Sequence, residues 1–140
     1  TWKSGSETLV AVENPETIGT AIRIGKPVNW VKALKYVKET RGVVEQVTDP
    51  EMMDAKAVVD AAGIGCEPAS AASVAGAKKL SDAGVISRSD KVVCILTGHV
   101  LKDADNTVKY HLGQLPYASR FGNAPVQVDA SLLALEKALG

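Results

Sequence analysis

The run Val92-Val93-Cys94-Ile95-Leu96 is apolar at every position and rich in β-branched residues. A strand with one wet face alternates apolar and polar side chains. A run with no alternation fits a parallel strand covered by helices on both sides. This constrains the chain to a layered α/β class with a mainly parallel sheet flanked by helices.

The neighbouring segments read in the same sense. Asn29 to Thr40 reads as a helix, capped by Asn29, with Trp30, Val31, Leu34 and Val37 at helical spacing. Val43, Val44 and Val47 suggest a strand. Asp49-Pro50-Glu51 is a helix start in which Asp49 caps, and Met52, Ala55, Val58, Val59 and Ala62 form one apolar face. Pro68 opens a helix to about Ala83 that is rich in small residues, so it can back closely onto a sheet or ligand. Thr17 to Ile24 reads as a short helix or turn, and Ala104 to Phe121 has no clear pattern. Pro125 to Val128 reads as a strand, followed by a last helix capped by Asp129.

With 140 residues the chain is one compact domain or a piece of a larger one, and residues 1–140 are read as a single partial domain. Sixteen basic residues balance sixteen acidic ones, which gives no electrostatic reason for nucleic acid or an anionic membrane as partner. No apolar run approaches the ~20 residues of a membrane helix, and no signal peptide opens the chain. The start at Thr1-Trp2-Lys3-Ser4-Gly5 reads as the middle of something, a fragment or a processed product, and an expression scar would look the same. Cys66 and Cys94 are expected to be buried free thiols, no Cys/His spacing resembles a zinc site, and the cytoplasm is the default location.

In open α/β sheets ligands bind at the carboxyl ends of strands. That places Thr97 and Gly98 where chemistry belongs: a hydroxyl that donates or accepts, then a residue that lets backbone and a flat ligand approach. By pattern alone a Thr-Gly after a strand is commonly just a turn. Glu67, before Pro68, gains from the helix dipole, and by pattern alone it is better explained as a helix-terminal acid with no catalytic role. His99 is a candidate acid or base, although a lone histidine beside a turn more often packs. Lys35, Lys38, Lys78 and Lys79 read as solvated helix faces. Neither a nucleophile elbow nor a phosphate loop of the P-loop or dinucleotide type is present.

Three stretches taken together carry a resemblance. Residues 16–30, ETIGTAIRIGKPVNW, resemble the threonine synthase segment ETIATAIRIGNPVNW. Glu67 to Ala72 resembles the segment EPASAA, and Leu96 to Asp103 resembles LTGHGLKD. They occur in that family's order, and the likeness is weakest between Tyr110 and Pro125. The family is one of the fold-type II pyridoxal-phosphate (PLP) enzymes, whose two α/β domains hold the cofactor between them. The resemblance implies that this chain is the later part of the large domain. It implies that Thr97 presents its hydroxyl to the cofactor's pyridine nitrogen, that Gly98 allows close backbone approach, and that Glu67 lies near the ring. Lys26 and Val100 depart from the common Asn and Gly. The Schiff-base lysine and the phosphate-cradling glycine loop belong to the family's N-terminal portion, so no catalytic residue is assigned in this chain. Lys102 imitates the Schiff-base motif only superficially.

On this resemblance the parent enzyme converts O-phospho-L-homoserine and water to L-threonine and phosphate, and the piece alone is expected to be inactive. The alternatives are a sister enzyme (cysteate synthase or an amino-acid dehydratase) and a non-catalytic module that binds a small metabolite. A partial sheet would also leave an unpaired edge, which invites association into a homodimer.

Overall fold

A computed structural model describes residues 1–140. A 3-10 turn at Thr20–Ile22 precedes five helices: α1 (Trp30–Glu39), α2 (Asp49–Ala61), α3 (Pro68–Asp82), α4 (Ala104–His111) and α5 (Leu132–Leu139). The molecule is organised around α2 and α3, which pack against each other.

Helix α2 begins with a reciprocal cap. The Glu51 N–H donates to Thr48 Oγ1 at 3.4 Å, and the Thr48 N–H donates to Glu51 Oε2 at 2.7 Å. That backbone bond from Thr48 is the main reason the Glu51 carboxyl is held below its ordinary pKa. Thr48, and not Asp49, is therefore the cap. The freed Asp49 carboxylate accepts from Thr17 Oγ1 at 2.5 Å and from the Ile18 N–H at 3.1 Å, anchoring the segment before the 3-10 turn.

The buried face of α2 carries Met52, Met53, Lys56, Ala57 and Val59. Val58 and Ala62, expected on that face, are exposed. Lys56 occupies the core because Asp60, one turn on, meets its ammonium at 2.6 Å. Asp60 also accepts the Cys66 N–H at 3.2 Å, closing the connection between the helices. Ala71 and Ala75 of α3 lie in the core, where small side chains bring it close to α2. Met52, Val59, Cys66 and Ala71 form one cluster, flanked by Ile18, Val47 and Leu96. Met53, Ala57 and Tyr110 form a second, flanked by Leu115 and Tyr117.

Tyr110 explains α4, which the sequence pattern does not announce. Its ring is fully buried, its hydroxyl donates to Asp54 Oδ1 at 2.6 Å, and the hydroxyl oxygen accepts the Phe121 N–H at 3.2 Å. Tertiary contact thus holds a helix whose Asn, Thr and Val residues are mediocre helix formers. Helix α1 lies as expected, except that Asn29 makes no side-chain cap. Helix α5 is capped by Ser131 rather than Asp129.

The expected sheet is not formed. Segments 43–47, 91–97 and 124–128 have no regular secondary structure, and no backbone group of residues 91–96 bonds another backbone group. A helix pairs its N–H and C=O groups internally. A strand satisfies them only through an adjacent strand, and this chain places none beside the run. Val93 and Ile95, predicted to be buried, are 87% and 70% exposed. The accessible surface is 10344 Å², against about 6,900 Å² for a compact monomer of this mass. No helix is long and apolar enough to cross a membrane.

Candidate functional site

Glu67, Ser70 and Ser73 recur every third residue at the start of α3 and so share one helix face. Residues 94–98 run along that face in the opposite direction. The Cys94 thiol donates to the Ser73 carbonyl at 3.7 Å. The Ser73 hydroxyl lies 3.3 Å from the Ile95 carbonyl and 2.9 Å from the Ser70 carbonyl. Ser70 Oγ lies 3.2 Å from Thr97 Oγ1 and accepts the Gly98 N–H at 2.8 Å. The Gly98 carbonyl accepts the Glu67 N–H at 3.1 Å. Both polar groups of the Gly98 backbone are thereby fastened to the first turn of α3.

Gly98 is required there for a specific steric reason: a Cβ would overlap the Glu67 side chain. Glu67 and Ser70 are each only 4% exposed, whereas Thr97 above them is exposed. The structure therefore brings Glu67, Thr97 and Gly98 together, as the sequence suggested. It adds Ser70, buried between them, which the sequence reading treated only as one hydroxyl among several. Its spacing of three from Glu67 was the available signal.

The other candidates separate. His99 is exposed, and its Nδ1 accepts the Leu101 N–H at 3.1 Å, a local turn contact. Lys102 Nζ stands 3.9 Å from Glu67 Oε2 and is largely exposed. Cys66 is buried and free, and burial pushes its thiol pKa up, which leaves it a poor nucleophile. Cys94 is free and half-buried. No group of His, Cys, Asp and Glu suits a metal ion.

The three sequence blocks also converge. Asp103 sits at φ 55°, and its carboxylate accepts from Thr20 Oγ1 at 2.7 Å and from the Thr20 N–H at 3.3 Å. Asn106 Nδ2 donates to the Ile18 carbonyl at 3.2 Å. Gly65, at φ 69°, faces Val100. Residues 17–20, 65–70 and 97–103 thus form one contiguous patch. A groove of about 560 Å³ between Trp2 and Trp30 and one of about 440 Å³ between α2 and α3 lie away from Thr97. Thr97 therefore stands on an open edge of this patch.

Two neutral hydroxyls, a glycine that leaves no room for a Cβ and a buried carboxylate thus lie together at one edge of the molecule. Residues 2–98 match the family described as pyridoxal-phosphate dependent enzyme, and the chain belongs to that family. It is 47% identical over 138 residues to threonine synthase of Methanosarcina acetivorans, covering 98% of this chain and 31% of that protein. It is 40% identical over 139 residues to threonine synthase of Methanocaldococcus jannaschii, covering 99% of this chain and 32% of that protein. The likeness to the Synechocystis threonine synthase is 48% over 99 residues, 70% of this chain and 25% of that protein. The chain spans about a third of the length of the first two of these relatives.

Proposed function

We propose that residues 1–140 are a partial α/β domain of a threonine synthase, the later part of the large domain of a fold-type II PLP enzyme. The whole enzyme converts O-phospho-L-homoserine and water to L-threonine and phosphate in the cytoplasm. The observation that carries this reading is the exposed Thr97 hydroxyl, backed by buried Ser70 and next to Gly98, within a chain of the PLP family that is 40–47% identical to threonine synthases over nearly its full length.

The residues present fit the cofactor's ring edge. Thr97 offers a neutral hydroxyl on its open side. The Glu67 carboxylate lies beneath Gly98, toward Ser70 and Lys102, and not on that open side. Such a donor set suits an uncharged pyridine nitrogen better than a protonated one, which would call for a carboxylate partner. When bound, PLP supplies an electron sink for carbanions at the substrate. Thr97 would hold the ring nitrogen, Gly98 would let the ring lie close to the backbone, and Glu67 would sit near the ring while fixing the first turn of α3. The amine nucleophile and the phosphate cradle would come from other segments of the enzyme, so this piece alone has no turnover.

Phosphate release from O-phospho-L-homoserine by the full-length protein, with matched threonine formation, tests the reading. A substrate panel in which serine or threonine deamination or cysteate formation dominates instead would assign a sister enzyme. The Thr97→Val variant is expected to lose about tenfold or more in kcat/KM.

A further inference from the structure

Ser70 is the node of the site, touching Glu67, Thr97 and Gly98. Its oxygen accepts the Gly98 N–H at 2.8 Å, and its single proton has two acceptors to choose between. One is Glu67 Oε1 at 3.5 Å, the other Thr97 Oγ1 at 3.2 Å. A hydroxyl committed to a carboxylate closes to about 2.5–2.7 Å, so a separation of 3.5 Å is not that bond. The Glu67 carboxylate has the Lys102 ammonium 3.9 Å from its other oxygen. A hydroxyl that already accepts a bond is also polarised into a better donor.

We propose that Ser70 is a positioning residue that donates its proton to Thr97 Oγ1, so that the Thr97 proton is directed outward as a donor to the cofactor's ring nitrogen. The proposal rests on the PLP reading above. Without Ser70 the Thr97 hydroxyl is free to rotate, and its proton has no preferred direction. With Ser70 the hydroxyl presents a proton and not a lone pair, so the facing nitrogen must be an acceptor, which means unprotonated. Ser70 is 4% exposed, so water does not compete for its bonds, and the polarity is built into the first turn of α3.

The experiment is ¹⁵N NMR of the full-length protein loaded with cofactor labelled at the ring nitrogen, with cofactor stoichiometry measured for each variant. Loss of a donor to a pyridine nitrogen moves its resonance downfield. Thr97→Val is expected to move it downfield, Ser70→Ala in the same direction by less, and the double variant no further than Thr97→Val alone. Ser70→Thr, which keeps a hydroxyl, is expected to restore the native position, and it carries the test if Ser70→Ala does not fold. A native resonance in Ser70→Ala beside a shifted one in Thr97→Val overturns the Ser70 proposal and leaves the cofactor reading standing. So does a resonance in Ser70→Thr displaced as far as in Thr97→Val. A native resonance in Thr97→Val overturns both.

Discussion

The inner stripe of the α2–α3 pair and the run Val92–Leu96 both carry apolar side chains, yet one makes most of the core and the other lies largely open. Met52, Met53 and Ala71 are at most 1% exposed, whereas Val93 is 87% exposed. Side-chain hydrophobicity does not separate them; backbone hydrogen bonding does. Each helix satisfies its own interior and needs only one partner to cover its buried stripe. The run needs a strand on at least one edge and a layer on each face. Only Cys94, against Ser73, and Leu96, which reaches the α2–α3 cluster, find partial cover. The buried half therefore satisfies its own backbone, whereas the run has no partner strand in this chain.

Variants should divide along that line. Asp60→Ala is expected to have the largest effect, a loss of about 3–5 kcal/mol, because it leaves the buried Lys56 ammonium unpaired and frees the Cys66 N–H. Urea denaturation measures it, and a loss below about 1 kcal/mol would show that water reaches Lys56 and that the pair is not part of the core. Tyr110→Phe should cost about 1–3 kcal/mol, since Asp54 and the Phe121 N–H both lose a buried partner.

The same tyrosine gives a pH signature. Burial first, and then its bond to Asp54, pushes the Tyr110 pKa up to about 12 from 10.0. Burial does the same for Tyr117, also to about 12. Both phenols are neutral when protonated, so the unfolded chain ionises first as pH rises. Their contribution to stability is complete below about pH 10 and is lost on the way to about pH 12. Thermal melts across that window should show the fall, and the double variant to Phe should flatten it. Thr48→Ala should cost about 1 kcal/mol through the lost reciprocal cap.

The smallest effect sharpens the comparison most. In this chain Val93→Thr should change stability by no more than about 0.5 kcal/mol. In the full-length enzyme the same change should cost distinctly more, if the run pairs and is covered there. Equal costs in both would show that the open half has no partner waiting.

The candidate site was legible to the extent that it is written in local chemistry. Thr97 and Gly98 follow an apolar run and Glu67 precedes a Pro-led helix, so each stood out locally, but only the family resemblance turned them from a turn and a helix-terminal acid into site residues. Ser70 could not be ranked above other hydroxyls, because its importance lies in bonds to residues 27 and 28 positions away. Asp49 read as a helix cap and Asp103 only as the end of a sequence block, yet each uses its carboxylate to hold residues 17–20, which are 32 and 83 positions distant at the hydroxyl contacts. Lys56 was absent from the expected apolar face because hydropathy counts its charge and not the Asp60 that neutralises it.

Sequence alone determined the existence of the helices with strong local signals, α1, α2, α3 and α5, because prolines and apolar spacing act within a few residues, although the caps expected at Asn29, Asp49 and Asp129 did not form. It also determined the family resemblance, through blocks that survive as strings. Tertiary structure decided the rest. It formed α4 around Tyr110, gathered the three blocks onto the start of α3, and left the apolar runs without a ladder. The reason is common to all three: a buried phenol, a shared hydroxyl and a strand each need a partner distant in the chain, and no pattern along the sequence says whether that partner is there.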